Sequence, residues 1–310
     1  MMRRKMELRG VPNPGPIVVL LPVSQAMNKI ALAVVTMFLG LATTGGNLCL
    51  AAENAGGGAK PEIILLDPPE KGFFTKELTC HGIPVKAPEV VTNKALFVAC
   101  DRISMELKNL PMAASNMAAL GVEVHIIGRH QVTSDLPEFR NLKGKPLPEY
   151  HGETIDQRTR GMGGRLTSCG EENLLQLTND HYFGRDILVH EFAHAIRQYG
   201  IPLNVVDQFN EQYRQSLAKG LWKGAYAASN ADEFFAELTM WYFGTHGDLH
   251  MTGPKPANGP EGLKHYDPDA FRLFDDFYRG RIRIAKMEHG HAWTANSSST
   301  NRPPRAPETE

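Results

Sequence analysis

The stretch "DILVHEFAHAIRQYG", residues 186 to 200, constrains this chain more than any other. Leu188, Val189, Phe192, Ala195 and Ile196 recur at helical spacing and supply an apolar side. Asp186 stands near the N-terminus, Arg197 sits in the last turn and Gly200 marks the stop. A helix is therefore predicted from about 186 to 200. It carries His190-Glu191-x-x-His194. Residues four apart share a helix face, so the two imidazoles can reach one ion. Glu191 is offset by one position and can reach a water held there without binding the ion itself. That spacing suits metal-assisted hydrolysis, with zinc lowering the pKa of its water and a carboxylate taking the proton. The competing reading is a core helix with two hydrogen-bonded histidines.

A hydrolytic zinc site needs three protein ligands and one open position. A third histidine six residues past the motif is excluded, because Gly200 stands there and Arg197 replaces the expected glycine. Two carboxylates remain. "NADEFFAEL" places Glu233 and Glu237 one turn apart on a second predicted helix, from about 230 to 242. "GTHGD" offers Asp248 in a glycine-flanked loop. Glu233 is preferred, with Glu237 hydrogen-bonding a histidine ligand from behind. Asn230-x-x-Glu233 also reads as a capping box, which gives Glu233 a purely structural alternative.

The chain around these helices is of ordinary globular composition, 42% hydrophobic and 22% charged over 310 residues. A net charge of -1 without a basic stripe argues against a nucleic-acid partner. Lys29, the apolar run 30–41 and the small residues up to Ala52 read as a secretory signal over residues 1–52, with Met27 a possible start. The run is short for a membrane span, so no stable membrane insertion is expected after cleavage. The expected location is secreted or periplasmic. Residues 53–60 read as a linker, 61–285 as one domain and 286–310 as a disordered tail. An exported chain can form a disulfide, and Cys80 with Cys169 is the expected pair, leaving Cys100 as a buried thiol.

Other elements are read more briefly. A hairpin is expected around His81-Gly82, helices over 88–109, 112–120, 204–219 and 267–278, and a strand over "VEVHIIG", 122–128. That strand is a candidate sheet edge for an extended peptide, with His125 a surface or hydrogen-bonded histidine. Residues 129–170 read as loop-rich. "RGMGG", 160–164, is either a plain turn or part of the cleft. His246, His250 and His265 read as solvated loop histidines.

The pair "HEFAHAI" and "AYAASNADEFFAEL" resembles the zinc-peptidase domain of the anthrax lethal factor family, over about residues 185 to 245. That family has an HEF-small-H helix, a Tyr-Gly segment and an Asn-x-x-Glu-Phe-Phe-Ala-Glu helix; here Ala227 replaces the glycine. The resemblance implies an α+β, zincin-like fold with a small mixed sheet. It implies His190, His194 and Glu233 as ligands of one zinc ion, Glu191 as general base, Tyr226 as a catalytic hydrogen-bond donor and Glu237 as support. A phenol is also what the chemistry calls for, since attack on a peptide carbonyl builds a negative oxygen. The expected function is that of a zinc metalloendopeptidase acting on a peptide or protein. Two alternatives stand beside it: a non-catalytic binding or scaffold protein on the same fold, and an amidohydrolase for a non-protein amide.

Overall fold

The computed structural model describes residues 62–182, 184–246 and 255–291. The expected signal, the linker, Asp248, His250 and the tail from 292 lie outside these residues.

Five strands form one mixed sheet in sequence order. They are β1 (Ile63–Glu70), β2 (Phe74–Cys80), β3 (Ile83–Ala87), β4 (Glu123–Ile127) and β5 (Leu166–Gly170). The first three are antiparallel, and β3, β4 and β5 run parallel. The hairpin between β2 and β3 turns at His81 and Gly82, both with positive φ, as a tight two-residue turn requires. The parallel step from β3 to β4 needs a crossover. It is supplied by α1 (Asn93–Leu107) and α2 (Pro111–Ala119). Gly121, at φ 71°, releases the chain into β4.

The segment after β4 contains α3 (Ile155–Arg158), and β5 leads into α4 (Glu171–Leu174). The remaining helices are α5 (Ile187–Ala195), α6 (Leu203–Ala218), α7 (Ala231–Phe243), α8 (Pro260–Tyr266) and α9 (Pro268–Tyr278). A π-helical turn, Ile196–Gly200, continues α5. The main core joins sheet residues Leu78, Val85, Val124 and Ile126 to Leu96 and Ile103 of α1 and to Leu188, Phe192 and Ile196 of the α5 segment. Phe209, Phe234, Phe235, Phe274 and Phe277 extend it between α6, α7 and α9. Their rings meet largely edge to face, the arrangement aromatic quadrupoles favour. Among the described residues, no helix is long and apolar enough to cross a membrane.

Three expectations change. The "VEVHIIG" strand is interior, hydrogen-bonded on both sides by β3 and β5, so it offers no edge to a peptide. The disulfide joins Cys80 to Cys100, with Cα atoms 5.6 Å apart, and Cys169 is the buried free thiol. Cys80 lies on β2 and Cys169 on β5, three strand spacings away. At about 4.8 Å per spacing that is roughly 14 Å, twice the reach of a disulfide. The tail assignment from 286 also shifts. Met287 is buried and its N–H donates to Asn116 Oδ1, 3.0 Å, while His291 N–H donates to the Gln198 carbonyl, 2.8 Å. Residues 286–291 therefore belong to the packed domain.

Candidate metal centre

The motif helix begins as its sequence implies. Asp186 Oδ1 accepts from the Val189 N–H at 3.3 Å, capping α5. Its other oxygen pairs with Arg102 of α1, tying the helix start to its neighbour. The apolar side of α5 is fully buried. His190 and His194 emerge on the other side with their Nε2 atoms 3.2 Å apart.

The second helix brings the carboxylate. Asn230 caps α7 by accepting from the N–H groups of Asp232 and Glu233, both at 2.9 Å. The cap leaves the Glu233 side chain free to turn towards α5. Glu233 Oε2 lies 3.2 Å from His190 Nε2 and 3.6 Å from His194 Nε2. A buried ion pair, Arg197 with Asp232, clamps the two helices beside this point. Arg197, which occupies the place where a third histidine would need glycine, thus serves packing.

Three donor atoms at 3.2, 3.2 and 3.6 Å make a nearly regular triangle. Zinc with ligands about 2.05 Å away at tetrahedral angles would separate them by about 3.3 Å. The chemistry agrees with the geometry. Glu237 Oε1 lies 3.0 Å from His190 Nδ1. A proton on that nitrogen leaves the Nε2 lone pair facing the centre of the triangle. Glu233 Oε2 is buried without a hydrogen-bond partner. Lone pairs converging on one point repel unless a cation lies between them. Among the described residues this is the group able to hold a metal ion. Burial opposes charge on His190, but the carboxylates of Glu233 and Glu237 outweigh it and raise the imidazole to about 10. A bound metal would replace that proton.

A cleft of about 330 Å³ opens over the triangle. Glu191 lines it, and desolvation there raises its carboxyl, against the pull of His190 and His194. The "RGMGG" segment forms one wall. Met162 pairs with Ser168 of β5, its N–H donating at 3.2 Å and its carbonyl accepting at 2.8 Å. That ribbon runs so close to α5 that only glycine fits at two positions. A Cβ on Gly163 would stand 2.8 Å from His194 Cβ and 3.1 Å from Glu191 Oε2, and one on Gly161 would clash with Ile187 Cγ2 and stand 3.2 Å from Glu191 Oε1.

Tyr226 sits on the short 3-10 turn Tyr226–Ala228 that precedes α7. Its ring stacks towards His190, with centroids 6.4 Å apart, and it lines the same cleft. Desolvation and the nearby Glu233 charge push the phenol well above its ordinary value, so it keeps its proton.

Two residues behind the site were not assigned to it from the sequence. Arg185 bonds to Glu237 Oε1. His246 donates to or accepts from Glu237 Oε2 at 2.8 Å and stacks on Trp241, with centroids 4.1 Å apart. His246 is fully buried, not a solvated loop histidine. Gly244, at φ 71°, ends α7 and folds the chain back over that indole. No local pattern marks either residue. His265 is exposed on α8.

No family model matches the chain, and no curated protein matches it. Among solved structures, the chain is similar to that of the PRO-PRO endopeptidase (PPEP-2) from Paenibacillus alvei. The identity is 19%, over 60% of this chain and 92% of that one, with a TM-score of 0.41.

Proposed function

We propose that this chain is a zinc-dependent peptidase, with His190, His194 and Glu233 as the metal ligands. One observation carries the reading: three lone-pair donors converge at zinc spacing at the floor of an open cleft, with Glu191 beside them. Zinc bound there would supply a Lewis acid and make water acidic enough to react near neutral pH.

The chain's own residues divide the remaining work. The Glu191 carboxylate accepts a proton from the attacking water and passes it to the leaving amine nitrogen, acting as base and then acid. Its raised proton affinity suits both roles, because the group must take a proton and then release it. The Tyr226 hydroxyl donates to the oxygen that becomes negative during attack. Glu237, held by Arg185 and His246, fixes the tautomer and tilt of His190. The proposal includes export. The N-terminal segment reads as a signal, and a Cys80–Cys100 disulfide is at home in an oxidising compartment.

Glu191→Gln tests the reading. Peptide hydrolysis should fall by roughly 100- to 10,000-fold while the protein still holds one zinc ion. Undiminished hydrolysis at full zinc occupancy would sink it. A well-folded wild-type sample that holds no zinc would favour a binding or scaffold role instead.

A further inference from the structure

Two cations line the cleft, Arg185 and Arg158. Arg185 is committed to Glu237. Arg158 forms no ion pair with a carboxylate among the described residues, although Glu191 feels its charge from further off. Its neighbour Arg160 makes the contrast plain, since that side chain is fixed by Glu172 and by the carbonyls of Gln131 and Gly128.

Arg158 is nonetheless firmly placed. It ends α3, whose start is closed by a capping box between Thr154 and Gln157. Ile155 is buried. The Asp156 carboxylate accepts from the N–H and the hydroxyl of Ser134, both at 2.7 Å. The guanidinium stands 5.9 Å from the Tyr150 ring centroid, and Tyr150 lines the cleft too. The result is a positioned, half-buried cation that faces the reacting groups with its hydrogen-bonding fork unclaimed by an anion. A guanidinium matches a carboxylate through two parallel N–H donors. Partial exclusion of water strengthens such a pair over its value in bulk solvent.

We infer that Arg158 selects the substrate by binding a carboxylate of the peptide. This rests on the peptidase reading. The carboxylate belongs either to an acidic side chain near the scissile bond or to the peptide's own C-terminus. Away from the metal triangle, Glu191 repels an incoming acid and Arg185 is taken by Glu237, so the α3 side is the seat its charge favours.

The test uses the full chain loaded with zinc and mixtures of short peptides. One position at a time is fixed as Glu, Gln or Lys, and every mixture is made with a free and with an amidated C-terminus. If a side chain is read, kcat/KM for Glu over Gln at one position should reach roughly 10- to 100-fold. If the C-terminus is read, the same ratio should appear between free acid and amide. In Arg158→Gln that ratio should collapse towards one, Arg158→Lys should keep part of it, and Arg158→Glu should turn the preference to Lys. A wild type indifferent to both kinds of carboxylate overturns the inference, as does a ratio that survives in Arg158→Gln. Binding of the same peptides to zinc-loaded Glu191→Gln separates this failure from that of the peptidase reading. Tighter binding of the carboxylate-bearing peptide, lost on adding Arg158→Gln, upholds carboxylate recognition even where the wild type hydrolyses nothing. Equal binding overturns it.

Discussion

Two buried histidine clusters in this molecule look alike in composition and differ in what they can do. On β4, His125 is fully buried between Glu138, 2.6 Å from Nδ1, and Glu123, 2.9 Å from Nε2. Glu123 also accepts from Lys86 at 2.9 Å, and Lys86 reaches Glu70 at 2.9 Å. Every charge there has an opposite neighbour, and each ring nitrogen has its own carboxylate. On α5, His190 and His194 turn their Nε2 atoms towards each other and share one Glu233 oxygen. The first arrangement is complete without a ligand. The second leaves a triangle of donor atoms that a proton on His190 or a metal ion can fill. What separates a structural histidine from a candidate metal ligand is thus whether its ring nitrogens diverge to separate partners or converge on one point.

The largest effect should come from breaking convergence. His194→Ala should weaken zinc binding by well over about 100-fold, more than loss of an outer partner costs. His125→Gln should leave one zinc ion per chain in place. Metal analysis after dialysis against a weak chelator reads both. Zinc loss in the β4 variant and not in the α5 variant would reverse the comparison. Asp248→Ala belongs in the same measurement, and zinc loss there but not in Glu233→Ala would move the third ligand to that loop.

A smaller effect should follow from loosening the support of a converging nitrogen. Glu237→Ala removes the group that orients His190 and leaves Arg185 and His246 without their common partner. Zinc affinity should drop by about 10- to 100-fold. Competition with a fluorescent zinc chelator measures it, and an unchanged affinity would make Glu237 a packing residue.

The smallest effect concerns the β4 cluster and shows as pH dependence of stability. Glu123 is lowered to about 2, chiefly by its hydrogen bond to His125, with Lys86 helping against burial. Its contribution is present above the ordinary value of 4.5 and is lost as pH falls towards 2. Burial opposes charge on His125, but Glu123 and Glu138 outweigh it and raise the imidazole. That contribution is full below 6.5 and fades as pH rises through the higher folded value. Stabilisation should therefore peak between about pH 4.5 and 6.5. Unfolding free energies of wild type and Glu123→Gln from urea titration should differ most in that window, by about 1 kcal/mol, because the Glu123 carboxylate is itself partly open to water. A difference independent of pH would mean that the ion pairs contribute nothing measurable.

Much of the centre was legible in the sequence because helices translate spacing into direction. Residues four apart on α5 share a face, and Asn230 announces where α7 begins, so His190, His194 and Glu233 could be named before any contact was known. The sheet was less legible. β5, "LTSCG", is short and polar and becomes a strand through its parallel pairing with β4. β1 carries Pro68 and Pro69, which lack the N–H a ladder needs, and it pairs with β2 with a register shift between Leu65 and Glu70.

The sequence by itself determined the motif helix, the capped helix that follows it and the residue types that suit a metal. These depend on local periodicity and on caps, which act over a few residues. Tertiary structure alone decided that Cys80 meets Cys100, that β4 is interior, that His246 lies beneath Glu237 and that Arg158 lines the cleft. Each of those depends on how elements distant in sequence stack, and no spacing along the chain encodes that distance.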